Sequence, residues 1–195
     1  MNTTIKHTIR ISEETIMQSG IYMKTDPEGE VKYLQVKDIN GENEIDYSHT
    51  ARVKDTGTSH KYYLRKDDLL FAAKGASNYC FLYDGSKGNI IPSSSFIIIH
   101  ITSKKILPEF LCCYLNTPSI LSKLKNSSVG TGIQMIPQSV IGDLQLEIPS
   151  MEVQQLIVQI DRLIKKSEKL HNKINTLKRN LQDQLLMDSL KRNIL

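Results

Sequence analysis

From Ser150 to Leu190 the chain reads SMEVQQLIVQIDRLIKKSEKLHNKINTLKRNLQDQLLMDSL, a stretch with neither glycine nor proline. Alternate steps of three and four residues pick out Val153, Leu156, Ile160, Leu163, Ser167, Leu170, Ile174, Leu177, Leu181 and Gln184, and eight of these ten are apolar. That spacing is the seam of a heptad repeat sustained over several heptads. Ser150 is a suitable N-cap for the helix it implies. At about 1.5 Å per residue, about 40 residues make a rod of roughly 60 Å. A stripe so long and narrow needs a second helix, and nothing else in the chain offers one of comparable length. The expected partner is a second copy of the chain or another protein, with the eight apolar positions as the dimer interface in the first case.

Upstream of the seam, residues 1–149 read as a separate globular domain, with 150–195 as the spacer or dimerisation helix. Short strands dominate the first part. Ile9-Arg10-Ile11, Val31 to Val36, Tyr62-Tyr63-Leu64, Leu69 to Ala73, Tyr79 to Tyr83 and Ser95 to Ile101 are strand candidates, broken by turns at Asp38-Ile39-Asn40-Gly41 and Asp84-Gly85. The run Ser95 to Ile101 is continuous and rich in β-branched residues, which suits a strand buried on both faces, and Leu69 to Ala73 has a buried-strand pattern. Helical spacing then takes over after Pro108 and again after Thr117-Pro118, followed by a short helix over 137–144 and a strand over 144–148. The expected fold is α+β: a globular domain with a mixed β-sheet and short helices, then a long coiled-coil helix.

Charge is unevenly spread. Residues 1–150 hold 16 basic and 16 acidic side chains, but 51–105 alone hold 9 against 4. A neutral domain is unlike a purely electrostatic nucleic-acid binder, so DNA binding requires a local basic face or a partner that adds charge. Met1 to Arg10 lacks the apolar core of a signal peptide and no run approaches a membrane span, so a cytoplasmic protein is expected. Cys80, Cys112 and Cys113 have neither disulfide nor zinc spacing and read as reduced, buried side chains.

A search for chemistry returns little. No phosphate loop, dinucleotide fingerprint or amino-methyltransferase motif is present. His7, His49, His60, His100 and His171 are scattered, and no ligand cluster forms. His100 reads as a satisfied, buried imidazole within its strand, and Asp67-Asp68 as turn or cap carboxylates. No catalytic residue, metal or cofactor is expected. Four polar loops remain: Thr56 to Lys61, Lys74 to Asn78, Ser86 to Asn89 with Ser93-Ser94, and Lys125 to Gln134. Ser, Thr, Asn and Gln can pair with base edges, Lys with phosphate, and glycine lets backbone approach a groove. The candidate DNA contacts are therefore Ser59, Lys61, Lys74, Ser77, Asn78, Lys87, Lys125, Thr131 and Gln134.

Five stretches carry a family likeness: Tyr33 to Ile39, Leu64 to Gly75, Ile106 to Leu115, Gly132 to Pro149, and Met151-Glu152-Val153-Gln154-Gln155-Leu156-Ile157. In this order and spacing the chain resembles one half of the specificity subunit of type I restriction–modification systems, one target recognition domain plus one spacer helix. Asp67 stands where that family usually has Gly, Val153 where Glu is usual, and Ser150 replaces a common second Pro. Full subunits carry two such halves, and no internal repeat is found here. The resemblance implies a non-catalytic reader of double-stranded DNA that docks methyltransferase subunits and joins a restriction subunit. It also implies antiparallel pairing of spacer helices. Two copies would then hold their readers at opposite ends of the rod, over a symmetric bipartite target spanning on the order of 15–20 base pairs. The competing expectation is a dimeric coiled-coil adaptor that binds protein.

Overall fold

Ile97, Ile98 and Ile99 place branched side chains on both faces of one strand, and the larger of the molecule's sheets is built around it. The computed structural model describes residues 7–40, 44–75, 78–129 and 134–192. The chain divides into two compact units, Met1–Gln155 and Leu156–Leu195.

In the first unit, β1 (His7–Arg10) pairs antiparallel with β9 (Gln145–Ile148) in a two-stranded ribbon. A four-stranded antiparallel sheet runs β2 (Thr15–Ser19), β8 (Phe96–Ile101), β5 (Leu69–Ala72), β6 (Cys80–Leu82). A mixed three-stranded sheet runs β4 (Ala51–Val53), β3 (Val31–Leu34), β7 (Ile90–Pro92), with β3 antiparallel to β4 and parallel to β7. Three short helices follow: α1 (Pro108–Leu115), α2 (Pro118–Asn126) and α3 (Gln138–Gly142).

The two larger sheets share one core. Leu70, Ala72, Phe81, Phe96 and Ile98 of the four-stranded sheet cluster with Leu34 and Ile90 of the three-stranded one. The expected burial is met for Leu69 to Ala72 of β5 and for Phe96 to Ile99 of β8, while Ser95, His100 and Ile101 are only half-buried. The open edge of β6 is closed by a side chain. Asn116, just after α1, accepts from Cys80 N–H through Oδ1 at 2.8 Å and donates from Nδ2 to Cys80 O at 2.8 Å. A carboxamide thus stands in for a neighbouring strand where an unpaired edge would invite aggregation.

Several expectations need correction. Tyr62-Tyr63-Leu64 is not a strand: Thr58–Tyr62 is a 3-10 turn, drawn in by hydrogen bonds to Asp55. The strand from Val31 stops at Leu34, because Asp38 Oδ2 accepts the Gln35 N–H at 2.8 Å and bends the chain into a 3-10 turn at Val36–Asp38. β2, β4 and β7 were not anticipated. β4 and β7 are three residues each, too short to show a period. β2 lies at a sheet edge with Ile16 turned outward, so its alternation is inverted.

Asp67 adopts a positive φ of 71°. That left-handed conformation is the one glycine takes without strain, which explains why the family places Gly there. Asp68 is buried and binds Arg65 N–H at 2.8 Å, as a turn carboxylate should. His100 Nδ1 lies 2.9 Å from Asp68 Oδ1, so the imidazole is satisfied although partly exposed. Cys80 and Cys112 are buried outside any disulfide, with Cys112 Sγ donating to Cys80 O at 3.4 Å, whereas Cys113 is only half-buried, unlike the expectation.

The helix α4 (Met151–Arg192) is 42 residues long. Its first turn belongs to the first unit. There Gln154 is fully buried, donating from Nε2 to Lys105 O (2.8 Å) and Pro149 O (3.0 Å) and accepting from Leu107 N–H at 2.9 Å. In the second unit, Lys165 and Asp161 form an exposed ion pair one turn apart at 2.8 Å.

Candidate nucleic-acid interface

Strand directions bring several polar connections to one end of the four-stranded sheet. Here β2 and β5 finish while β8 and β6 begin, with Ser19 opposite Ile97, Ala72 opposite Phe96 and Phe71 opposite Cys80. Gly20 N–H donates to Phe96 O at 2.9 Å, and Ala73 N–H to Ser95 O at 2.9 Å. The corner Ser93 to Ser95 therefore sits between the chain leaving β2 and the chain leaving β5.

Onto this end the structure folds a second segment. Ile136 N–H donates to Ala73 O at 2.9 Å and Gly75 N–H to Gln134 O at 3.4 Å, while Val129 and Met135 exchange both backbone bonds at 2.9 Å. Lys74 thus pairs with Met135 across an isolated bridge, and Gln134 is exposed beside Gly75. Lys125, exposed in the last turn of α2, connects through the Lys125–Ser128 backbone bond to the same stem. Lys74 and Gln134 are brought together, and Lys125 precedes the Val129 side of the same stem. Ser77 and Thr131 lie outside the described residues. Asn78 is at the same end, but its Nδ2 donates to Ala72 O at 2.9 Å and closes its own turn.

The other candidates lie elsewhere. Lys61 ends the turn Thr58–Tyr62, where its carbonyl accepts from Gln18 Nε2 at 2.8 Å and its Nζ stands 5.1 Å from the Tyr62 ring centre. Ser59 is withdrawn as a base reader, because it is 1% exposed and its hydroxyl donates to Asp55 Oδ1 at 2.7 Å. Lys87 is exposed at the start of β7, whereas Ser93 follows its end, so the loop grouping of Ser86 to Asn89 with Ser93-Ser94 is split by the strand. Its carbonyl accepts from Lys32 Nζ at 3.3 Å.

Asp55 organises the Lys61 turn. Its carboxylate takes hydrogen bonds from Gly57 N–H (2.8 Å), Ser59 Oγ (2.7 Å) and Tyr63 hydroxyl (2.6 Å), and lies 2.7 Å from His60 Nε2. Donation by Tyr63, then by Gly57 and Ser59, holds this carboxyl well below its usual range, and burial with the Asp55 bond pushes the Tyr63 phenol up to about 12. Ser, His and Asp are all present, but both Ser59 and His60 bond to the carboxylate, so no imidazole activates the hydroxyl. The arrangement is a brace. Among the described residues no group of three or more His, Cys, Asp or Glu could hold a metal ion, and no helix is long and apolar enough to cross a membrane.

Tyr22 was missed by sequence reasoning although its side chain is 80% exposed. The one signal for it was an aromatic flanked by Ile21 and Met23 in the connection between Gly20 and Pro27. On α4, all eight seam residues, from Val153 to Leu181, are between 44% and 67% exposed.

The chain is thus an α+β body with polar loops gathered at one sheet end and a long helix that carries an exposed apolar stripe. The chain belongs to the type I restriction modification DNA specificity domain family, which it matches over residues 8–179. It is similar to the HindI specificity subunit, a type I restriction enzyme component of Haemophilus influenzae, with 29% identity over 137 residues, 68% of this chain and 30% of the relative. Two solved structures share its fold. The S subunit of a type I restriction-modification system from M. genitalium matches 94% of this chain and 45% of its own, with TM-score 0.60 and 17% identity. The HsdS subunit from Thermoanaerobacter tengcongensis matches 85% and 44%, with TM-score 0.59 and 15% identity. The chain thus spans about a third of the curated relative (30%) and less than half of either solved chain (45% and 44%).

Proposed function

We propose that this chain is a DNA specificity subunit that reads a short double-stranded sequence through the sheet end carrying Lys74, Lys125 and Gln134. The observation that carries the reading is the convergence there of two segments far apart in sequence, one basic and one with an exposed carboxamide. Lysine suits phosphate, which positions the protein, and glutamine suits a base edge, which specifies the sequence. The loops containing Ser77 and Thr131 belong to the proposed contact set. Lys61 and Lys87 stand off this edge, and Asn78 shapes it.

A second copy of the chain covers the α4 seam in this reading. Antiparallel pairing of two rods sets two identical readers over an inverted, bipartite target. Methyltransferase subunits dock on the pair in the cytoplasm and supply both the chemistry and extra positive charge, and a restriction subunit completes the assembly. This offers an account of a reader whose first 150 residues balance 16 basic against 16 acidic groups.

The test is equilibrium binding to duplexes selected from a randomised library, with and without methyltransferase subunits, across a salt series. Affinity should fall steeply with salt, and replacing Lys74 and Lys125 with Ala should lower the slope of log K against log salt by about 2 for each copy of the chain on the duplex, near 0.9 per phosphate lost. Replacing Gln134 with Ala should relax preference at particular bases more than it lowers general affinity. A chain that ignores DNA in both settings would instead be a coiled-coil adaptor for proteins.

A further inference from the structure

Tyr22 is held out to solvent by a backbone that is fixed on both sides of it. The buried hydroxyl of Tyr33 donates to Ile21 O at 2.9 Å and accepts from Met23 N–H at 3.1 Å, gripping the two neighbours of Tyr22. Tyr33 is itself 2% exposed and packed with Val31, Val53 and Ile91. Just upstream, Gly20 N–H bonds Phe96 O at 2.9 Å and Ile21 N–H bonds Pro92 O at 3.2 Å. A side chain at Gly20 would put its Cβ 2.2 Å from Ser93 O, so only glycine permits this approach. Downstream, Asp26 N–H bonds Arg52 O at 2.9 Å, and Lys54 Nζ lies 3.1 Å from Asp26 Oδ2. Tyr22 and the exposed Lys24 line a shallow groove with Lys54 and Thr56.

A fixed backbone under an exposed aromatic lowers the ordering cost of a contact, which is how rigid anchors serve binding surfaces. The location decides the partner. Gly20 and Ile21 are bonded to the same Pro92-to-Phe96 corner that binds Ala73 and Lys74 through Ser95 O. Resting on the DNA-reading role proposed above, we infer that Tyr22 is a further DNA-contacting residue, laid against a base or deoxyribose at the rim of that sheet end, with Lys24 beside it on the phosphate backbone.

The full chain with its methyltransferase subunits tests this, using fluorescein-labelled duplexes selected by the unaltered protein from a randomised library. Tyr22→Ala should weaken binding roughly five- to a hundredfold, the range of an aromatic–base contact, and should broaden the selected sequence. Tyr22→Phe should keep most of the affinity, since the ring face remains. Thermal midpoints should not move, because the side chain is exposed. If Tyr22→Ala binds like the unaltered protein while Lys74→Ala is weakened, Tyr22 is no contact and the inference alone fails. If neither variant is weakened, or the unaltered protein selects no duplex, the reading of this sheet end as DNA-facing fails and takes Tyr22 with it. If Tyr22→Ala loses the methyltransferase subunits but keeps its DNA preference, the residue faces protein and the inference is overturned.

Discussion

Leu70 and Leu170 are the same side chain in opposite surroundings. Leu70, in β5, is 0% exposed between two sheets, whereas Leu170, in α4, is 54% exposed. The contrast extends to the regions around them. The body hides most of its described Ile, Leu and Phe residues among its own strands and helices, Ile16 apart, while α4 leaves eight seam positions open. One region has solved the burial of its apolar surface by folding. The other arranges that surface in a line of the kind a second helix covers in a coiled coil. Among the described residues the next longest helix, α2, has nine residues against the 42 of α4.

The strongest way to break the comparison is to place charge in the seam. Leu170→Asp combined with Ile174→Asp should abolish self-association, raising the dissociation constant on the order of a thousandfold, because each carboxylate would be buried without a partner. Light scattering reads the change, and the body's far-ultraviolet and thermal signals should persist. Next in size is a cavity on the other side of the comparison. Phe71→Ala should destabilise the body by about 3–5 kcal/mol in denaturant unfolding while leaving helix pairing intact where the body is still folded. The smallest effect is a gain. Asp67→Gly should stabilise the body by up to about 1 kcal/mol, because glycine takes the left-handed φ of 71° without strain. A loss of stability there would mean that the Asp67 side chain makes a contact worth more than the backbone strain.

The long helix was the most legible element, since a seam repeats its signal over and over and no breaker interrupts it. Strands β5 and β8 were legible for a related reason: both faces are buried over Leu69 to Ala72 and Phe96 to Ile99, so each of those positions is apolar. What escaped detection depended on single side chains bonding to distant backbone. Asp55 turned an expected strand at Tyr62 into a 3-10 helix, and Asn116 closed a sheet edge some 36 positions away in the chain. Neither carboxylate nor carboxamide announces its partner in sequence. The candidate site was legible as residue types, and only the crossing of strands decided that Lys74 and Gln134 meet while Lys87 stands apart. Ser59 shows the limit of reasoning from polarity alone, since the same hydroxyl that suits a base edge is here enclosed by Asp55.

Sedimentation equilibrium of the intact chain at micromolar concentration tests most directly whether α4 is a pairing surface. The account predicts a particle of twice the 22.2 kDa chain mass that dissociates on dilution. A single 22.2 kDa species persisting to high micromolar concentration would contradict it, and the symmetric bipartite target would fall with it.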